Sequence, residues 1–132
     1  GVDAQPKMVR GAAENLSHYL TPARSPAGLP DPGAWQTLRG DATALPLPAD
    51  AVDGVVFDAP YGRQSKIANQ PLDDLVAGAL AEARRVAPRA VVVADRSWAD
   101  AASEAGWRVT DRFQRRVHRS LTRYVLVLSR AA

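Results

Sequence analysis

The 132 residues are enough for one domain and too few for two comfortable ones. With 46% hydrophobic and 23% charged residues the composition is globular, and the absence of cysteine excludes a disulfide scaffold, a thiolate metal site and a cysteine nucleophile. The charge is split: Gly1 to Gly62 carries four basic against seven acidic residues, Arg63 to Ala132 thirteen against seven, and Arg108 to Arg130 alone holds seven Arg and one Asp.

Fifteen of the seventeen cations are Arg. An acidic front half and an arginine-rich back end suggest that the back end meets phosphate or nucleic acid, although a GC-rich coding sequence yields the same excess of Ala and Arg. The two histidines, His18 and His118, lie far apart, so no metal site is expected. No apolar run approaches the ~18 residues of a membrane span and no signal peptide is evident, so the expectation is a soluble, cytoplasmic protein away from membranes.

Gly1-Val2-Asp3 reads as the last residues of a strand. Pro6 suits a first helical turn, and Met8, Val9, Ala12, Leu16 and Tyr19 recur at helical spacing, which predicts a helix from about Pro6 to Leu20. Thr21 to Gly33, with four Pro and two Gly, is a loop. Trp35 to Arg39 is a short strand, followed by the turn Gly40-Asp41-Ala42 and a Pro-bearing stretch to Asp50. Val52 to Phe57 is an apolar run ending at Asp58, as in a buried parallel strand. The loop Asp58 to Gly62 continues through Arg63 to Gln70. Leu72 to Val86 is helical and Pro88 ends it; Ala90 to Ala94 is a second buried strand. Ser97 caps a short helix to Ala105, stopped by Gly106. Trp107 to His118 and Leu121 to Leu128 form an antiparallel hairpin. The order β-α-β-β-α-β-α-β-β predicts an open α/β sheet with a mostly parallel centre.

In such a sheet, ligands bind beyond the carboxyl ends of the strands. Asp3, Asp41 and Asp58 fall at three such ends. Asp3 is a candidate acceptor for ribose hydroxyls. Asp41 is one for an adenine amino group, with the Ala42 backbone N–H donating to the ring. Each acid has a plainer reading as a turn or helix cap. The strongest signal is Asp58-Ala59-Pro60-Tyr61. Methylating an exocyclic amine requires its lone pair to be freed from ring conjugation and aimed at a methyl donor. A carboxylate and a backbone carbonyl can accept the two N–H bonds and turn the lone pair outward. Pro60 stiffens the loop and Tyr61 offers a stacking face for an extruded base.

This loop resembles the Asp-Pro-Pro-Tyr motif of S-adenosylmethionine-dependent amino methyltransferases, with Ala59 in place of the first Pro. Together with "DAQPKMVRGAAENLSHY", "RGDATALPL", "FDAPYGRQSKI" and "VHRSLTRYVLVLSR", in that order, it resembles the archaeal and eukaryotic tRNA guanine-N2 methyltransferases that modify the guanine at position ten. The resemblance implies a Rossmann-like class I methyltransferase fold, S-adenosylmethionine as cofactor and tRNA as partner. On this chain it implies cofactor binding by Asp3, Asp41, Ala42 and Asp58, and amine binding by Asp58, Ala59, Pro60 and Tyr61. Arg63, Ser65 and Lys66 after the loop, and His118, Arg119, Ser120 and Arg123 at the hairpin, are the RNA-facing candidates.

The family's first strand and Gly-rich loop have no counterpart here, nor does its tRNA-binding module. The expectation is therefore residues 1–132 as the C-terminal part of a methyltransferase domain, which alone borrows a strand or leaves a slot in its sheet. Two other readings stay open: a non-catalytic RNA-binding or assembly module on a methyltransferase outline, and an amino methyltransferase acting on DNA or protein glutamine.

Overall fold

The computed structural model describes residues 1–20, 33–60 and 71–131. The chain divides into two units, Gly1–Pro46 and Leu47–Ala132. The expected loop over 21–33 lies almost wholly outside the described residues, as does the segment 61–70.

In the first unit, β1 (Val2–Asp3) and β2 (Leu38–Arg39) pair in parallel, with Asp3 opposite Arg39, and α1 (Pro6–Tyr19) connects them on the sequence side. The ladder is bounded by Leu38 N–H to Gly1 O and Gly40 N–H to Asp3 O, at 2.8 and 2.9 Å. The second strand is shorter than the expected Trp35 to Arg39 because β1 offers it only two residues to pair with. Pro6 occupies the first turn of α1, where its missing N–H is no loss. Gly40 has no room for a side chain: a Cβ there would lie 2.7 Å from Pro46 Cδ and 3.0 Å from Val2 Cγ1.

The second unit is a four-stranded sheet in the order β3-β4-β6-β5 with two helices. Its strands are β3 (Val55–Asp58), β4 (Arg89–Ala94), β5 (Trp107–His118) and β6 (Leu121–Arg130), with α2 (Leu72–Val86) and α3 (Ala99–Glu104) between them. β3 and β4 run parallel; β4 with β6 and β5 with β6 run antiparallel. β3 starts at Val55 and not Val52 because the preceding segment is held elsewhere. Asp50 N–H bonds Arg85 O and Val52 N–H bonds Val86 O, tying it to the end of α2.

α2 carries Asp73 and Asp74 in its first turn and Arg84 and Arg85 in its last, the polarity that the helix dipole favours. Its buried stripe, Val76, Ala79, Leu80, Ala83 and Val86, recurs at helical spacing. Val76, Leu80 and Ala83 of that stripe share a cluster with Ala90, Val92 and Ala94 of β4, Leu126 and Leu128 of β6, Trp98, Ala99 and Ala102 around α3, and Trp107. Ser97 Oγ accepts the Ala99 N–H at 3.3 Å from one residue before the N-cap of α3, a position that Trp98 holds in place of the expected Ser97.

Two arginines lock the far end of this unit. Arg130 of β6 donates to Arg84 O and Ala87 O at the end of α2, and forms an ion pair with Asp50. Arg84 of α2 donates in return to Gly106 O and Ala131 O. The other face of the sheet lacks such cover within its unit: Val56 is 74% and Phe113 56% exposed. Among the described residues no helix is long and apolar enough to cross a membrane.

Candidate functional site

Parallel pairing brings the carboxyl ends of neighbouring strands to one edge, so the position of each strand-end acid follows from register. In the first unit, Asp3 ends β1 and Asp41 follows β2 by two residues, so both belong to the carboxyl edge of the pair. Asp3 Oδ1 accepts the Gln5 N–H at 2.8 Å, shaping the entry to α1. Asp41 Oδ1 accepts the Thr43 N–H at 2.8 Å and the Thr43 hydroxyl at 2.7 Å. Each acid thus serves its local turn with one oxygen. The second oxygen of each takes no bond among the described residues, and Ala42 is exposed beside Asp41.

The backbone bond from Thr43, and then its hydroxyl, hold the Asp41 carboxyl below the ordinary carboxylate value, so it stays ionised through neutral pH. A depressed folded pKa contributes stability above the unfolded value and loses it as pH falls through the folded one. Replacing Thr43 by Val removes the hydroxyl donor and keeps the amide. Asp41 is then expected to titrate at higher pH than in the wild type, though still below the ordinary value. A carboxyl-carbon NMR titration reads this; an unmoved Asp41 would refute the hydroxyl's part.

In the second unit, Asp58 is the last residue of β3, opposite Val93 of β4. Its side chain is exposed, whereas Ala59 is 2% exposed and its N–H bonds Val93 O at 2.7 Å. Ala59, the residue that follows the acid, is therefore anchored to β4 by its backbone. Pro60 is half-buried. Tyr61, Arg63, Ser65 and Lys66 lie outside the described residues. Beside the Asp58 turn, β4 ends in Asp95-Arg96-Ser97-Trp98, a turn that sequence reasoning did not select. Arg96 pairs with Asp95 at 3.1 Å and sits 5.6 Å from the centre of the buried Trp98 ring.

Cross-strand partners share a face of the sheet. One row across all four strands is Asp58, Val93, Val125 and Phe113; it lies on the face opposite the row Phe57, Val92 and Leu126, which faces the core and ends on the exposed Arg112 of β5. β4 ends at Ala94, opposite Tyr124, while the β5–β6 hairpin continues through Arg123, Thr122 and Leu121 to its turn. At ~3.3 Å per residue its tip reaches roughly 13 Å past the end of β4, on the same edge as Asp58. Arg119 and Ser120 form that tip, His118 Nδ1 accepts the Ser120 N–H at 3.2 Å, and Arg123 is exposed on the overhanging part of β6. The overhang also carries Arg115 and Arg116, which sequence reasoning passed over. Among the described residues no group of three or more His, Asp or Glu could hold a metal ion.

Alternating strands and helices with acids at strand carboxyl ends, closed by a terminal antiparallel hairpin, match the architecture of S-adenosylmethionine-dependent methyltransferases. A solved methyltransferase of that kind from Methanosarcina mazei superposes with a TM-score of 0.72 at 11% identity, over 99% of this chain and 81% of its own. The model of the RMKL-like methyltransferase domain (UPF0020) matches residues 1–125, and the chain belongs to this family. Two curated relatives are called tRNA (guanine(10)-N2)-dimethyltransferase. The one from Methanothermobacter thermautotrophicus is 31% identical over 98% of this chain and 36% of its own length. The one from Pyrococcus abyssi is 30% identical over 97% and 37%. The chain thus spans little more than a third of the relatives it matches.

Proposed function

We propose that this chain is the C-terminal part of the catalytic domain of an S-adenosylmethionine-dependent tRNA methyltransferase that modifies the exocyclic N2 amine of a guanine, position ten being the site by similarity. The observation that carries the reading is Asp58-Ala59-Pro60 at the carboxyl end of β3, with Tyr61 next in the sequence, an exposed carboxylate being followed by a backbone pinned to Val93. The names of the two curated relatives support the substrate.

Asp58 Oδ accepts one N–H of the guanine amine and the Ala59 carbonyl accepts the other, while the Ala59 N–H, donated to Val93 O, holds that backbone to β4. The amine lone pair then turns out of the ring plane toward the donor. When bound, S-adenosylmethionine supplies an electrophilic methyl. As the N–C bond would form, with the methyl–sulfur bond breaking and its electron pair leaving on sulfur as a neutral thioether, the amine would become cationic and Asp58 would stabilise that charge before the proton leaves to Asp58 or to water. Pro60 keeps the acceptors in place, and Tyr61 stacks on the base. Asp3 offers its second carboxylate oxygen to ribose hydroxyls and Asp41 to the adenine amine, with the Ala42 N–H as donor. Both acids fit the task, because one oxygen is fixed by the local turn and the other is open to a ligand. Arg63, Ser65, Lys66, His118, Arg119, Ser120 and Arg123 hold the RNA backbone. A tRNA substrate implies a cytoplasmic enzyme.

β3 is the outer strand of its sheet and has a partner on one side only among the described residues. In the longer protein a strand from an upstream βα unit pairs along it and brings the cofactor's Gly-rich loop. Methyl transfer from labelled S-adenosylmethionine to an unmodified tRNA transcript by the full-length protein is the test, with N2-methylguanine the expected product. Cofactor binding without transfer to tRNA would overturn the reading in favour of a non-catalytic module. Transfer only to DNA or to protein glutamine would move it to another substrate class. Titration calorimetry of residues 1–132 alone is expected to show no saturable cofactor binding; tight binding would sink the missing-strand proposal.

A further inference from the structure

We infer that Arg115 and Arg123 form a two-guanidinium clamp for a single RNA backbone phosphate beside the target nucleotide, an inference that rests on the RNA-methyltransferase reading. The two residues are direct cross-strand partners in the overhanging half of the β5–β6 hairpin. Residues so paired have Cβ atoms about 5 Å apart, and like charges placed there repel. Both are exposed, and neither has an acidic partner among the described residues. Asp111, on the same face four residues before Arg115, is engaged with the Arg112 N–H. A repulsive pair without a protein counter-ion is stabilised by an anion that binds both members.

Position names the anion. The pair lies on the same sheet face as Asp58, two residues beyond the row Asp58, Val93, Val125 and Phe113, toward the carboxyl edge. A base held at Asp58 brings its own strand across that edge. The groups available there to two guanidiniums are the phosphodiesters next to the flipped nucleotide. Guanidinium forks match phosphate oxygens in bidentate fashion, and two from adjacent strands can take one phosphate from both sides. Arg116 pairs with Thr122 on the other face and is outside the clamp.

The test measures binding of the full-length protein to an unmodified tRNA transcript across a salt series. The double variant Arg115→Gln/Arg123→Gln is expected to bind about ten-fold more weakly and to lower the salt slope by about one, the mark of one lost phosphate contact. Each single variant is expected to lose most of that affinity, so the two effects combine to less than their product. Arg115→Lys/Arg123→Lys should restore the salt slope but only part of the affinity, because the charge returns without the fork. Arg116→Gln should have a smaller effect. The double variant should melt at the same temperature as the wild type or higher, since a repulsion has been removed.

A slope lowered by two with multiplicative losses would overturn the shared-phosphate clamp in favour of two independent surface charges. Unchanged tRNA binding together with self-association of the double variant would overturn it in favour of edge protection by charged side chains. Since binding is read without turnover, a protein that transfers no methyl would lose the proposed reaction while the clamp is judged on its own slope.

Discussion

Replacing Asp58 by Ala is expected to lower the turnover of the full-length enzyme by about 10²–10³, the loss seen when one preorganised group facing transition-state charge is removed. Cofactor affinity should fall far less than turnover, since Asp3 and Asp41 carry the proposed contacts to the nucleoside. The substitution is a clean probe because Asp58 is exposed and its carboxylate accepts no hydrogen bond and makes no ion pair among the described residues. Surface changes of this kind stay within about 0.5 kcal/mol in stability. The anchoring bond from Ala59 N–H to Val93 O does not involve the side chain and survives it. Asp58→Asn retains one acceptor oxygen without the charge, so its rate should fall between those of Ala and wild type. The effect belongs in kcat, because the charge on the amine develops only as the methyl is transferred. Wild-type turnover in Asp58→Ala would remove the motif from the chemistry.

The largest expected loss of stability is for Trp107→Ala. Trp107 opens β5, is 3% exposed, and packs into the cluster that includes Leu80, Leu126 and Leu128. Its indole N–H donates to Leu80 O at 2.9 Å across 27 residues of sequence. Truncation leaves a large cavity between α2 and the hairpin, costing about 3–5 kcal/mol. In a domain whose total stability is about 5–15 kcal/mol, that brings the unit close to unfolding. Urea unfolding should show a lower midpoint with an unchanged slope. Trp107→Phe keeps most of the volume and loses the hydrogen bond, so it should cost about 1–2 kcal/mol. A loss below about 1 kcal/mol for the Ala variant would mean that this indole does not organise the core.

Much of this fold is legible in the sequence because its signals are local. Pro6, Pro71, Pro88 and Gly106 punctuate the elements, and the apolar stripe of α2 has a clear helical period. The strand-end acids were legible because an apolar run that stops at Asp marks a carboxyl end. What was not legible depends on partners distant in sequence. Val52 looks like strand until the bond from its N–H to Val86 O is known. The Arg115–Arg123 pair was hidden by a register shift between Arg116 and His118. A regular hairpin with Arg119 and Ser120 in its turn would set Arg116 opposite Arg123. The shift advances the pairing by one residue and changes which arginine shares a face with Asp58. Composition announced the basic hairpin, but only register divides its arginines between two surfaces. Asp3 and Asp41 show a different limit: each serves its local turn through one oxygen, as the plainer reading supposed, and the second oxygen takes no bond among the described residues.

The exchange of guanidinium groups between α2 and β6 bears on the order in which the second unit acquires its structure. The last carbonyls of α2 find a donor in Arg130, more than forty residues later in the chain, and Arg84 of that helix satisfies Gly106 O and Ala131 O in return. Neither end can be completed before the other arrives. Closing so long a loop is slow relative to forming a local helix, so α2 is expected to fray at its C-terminus until β6 docks. In native-state hydrogen exchange, the amides of the last turn of α2 and of the end of β6 should then open together as one cooperative segment.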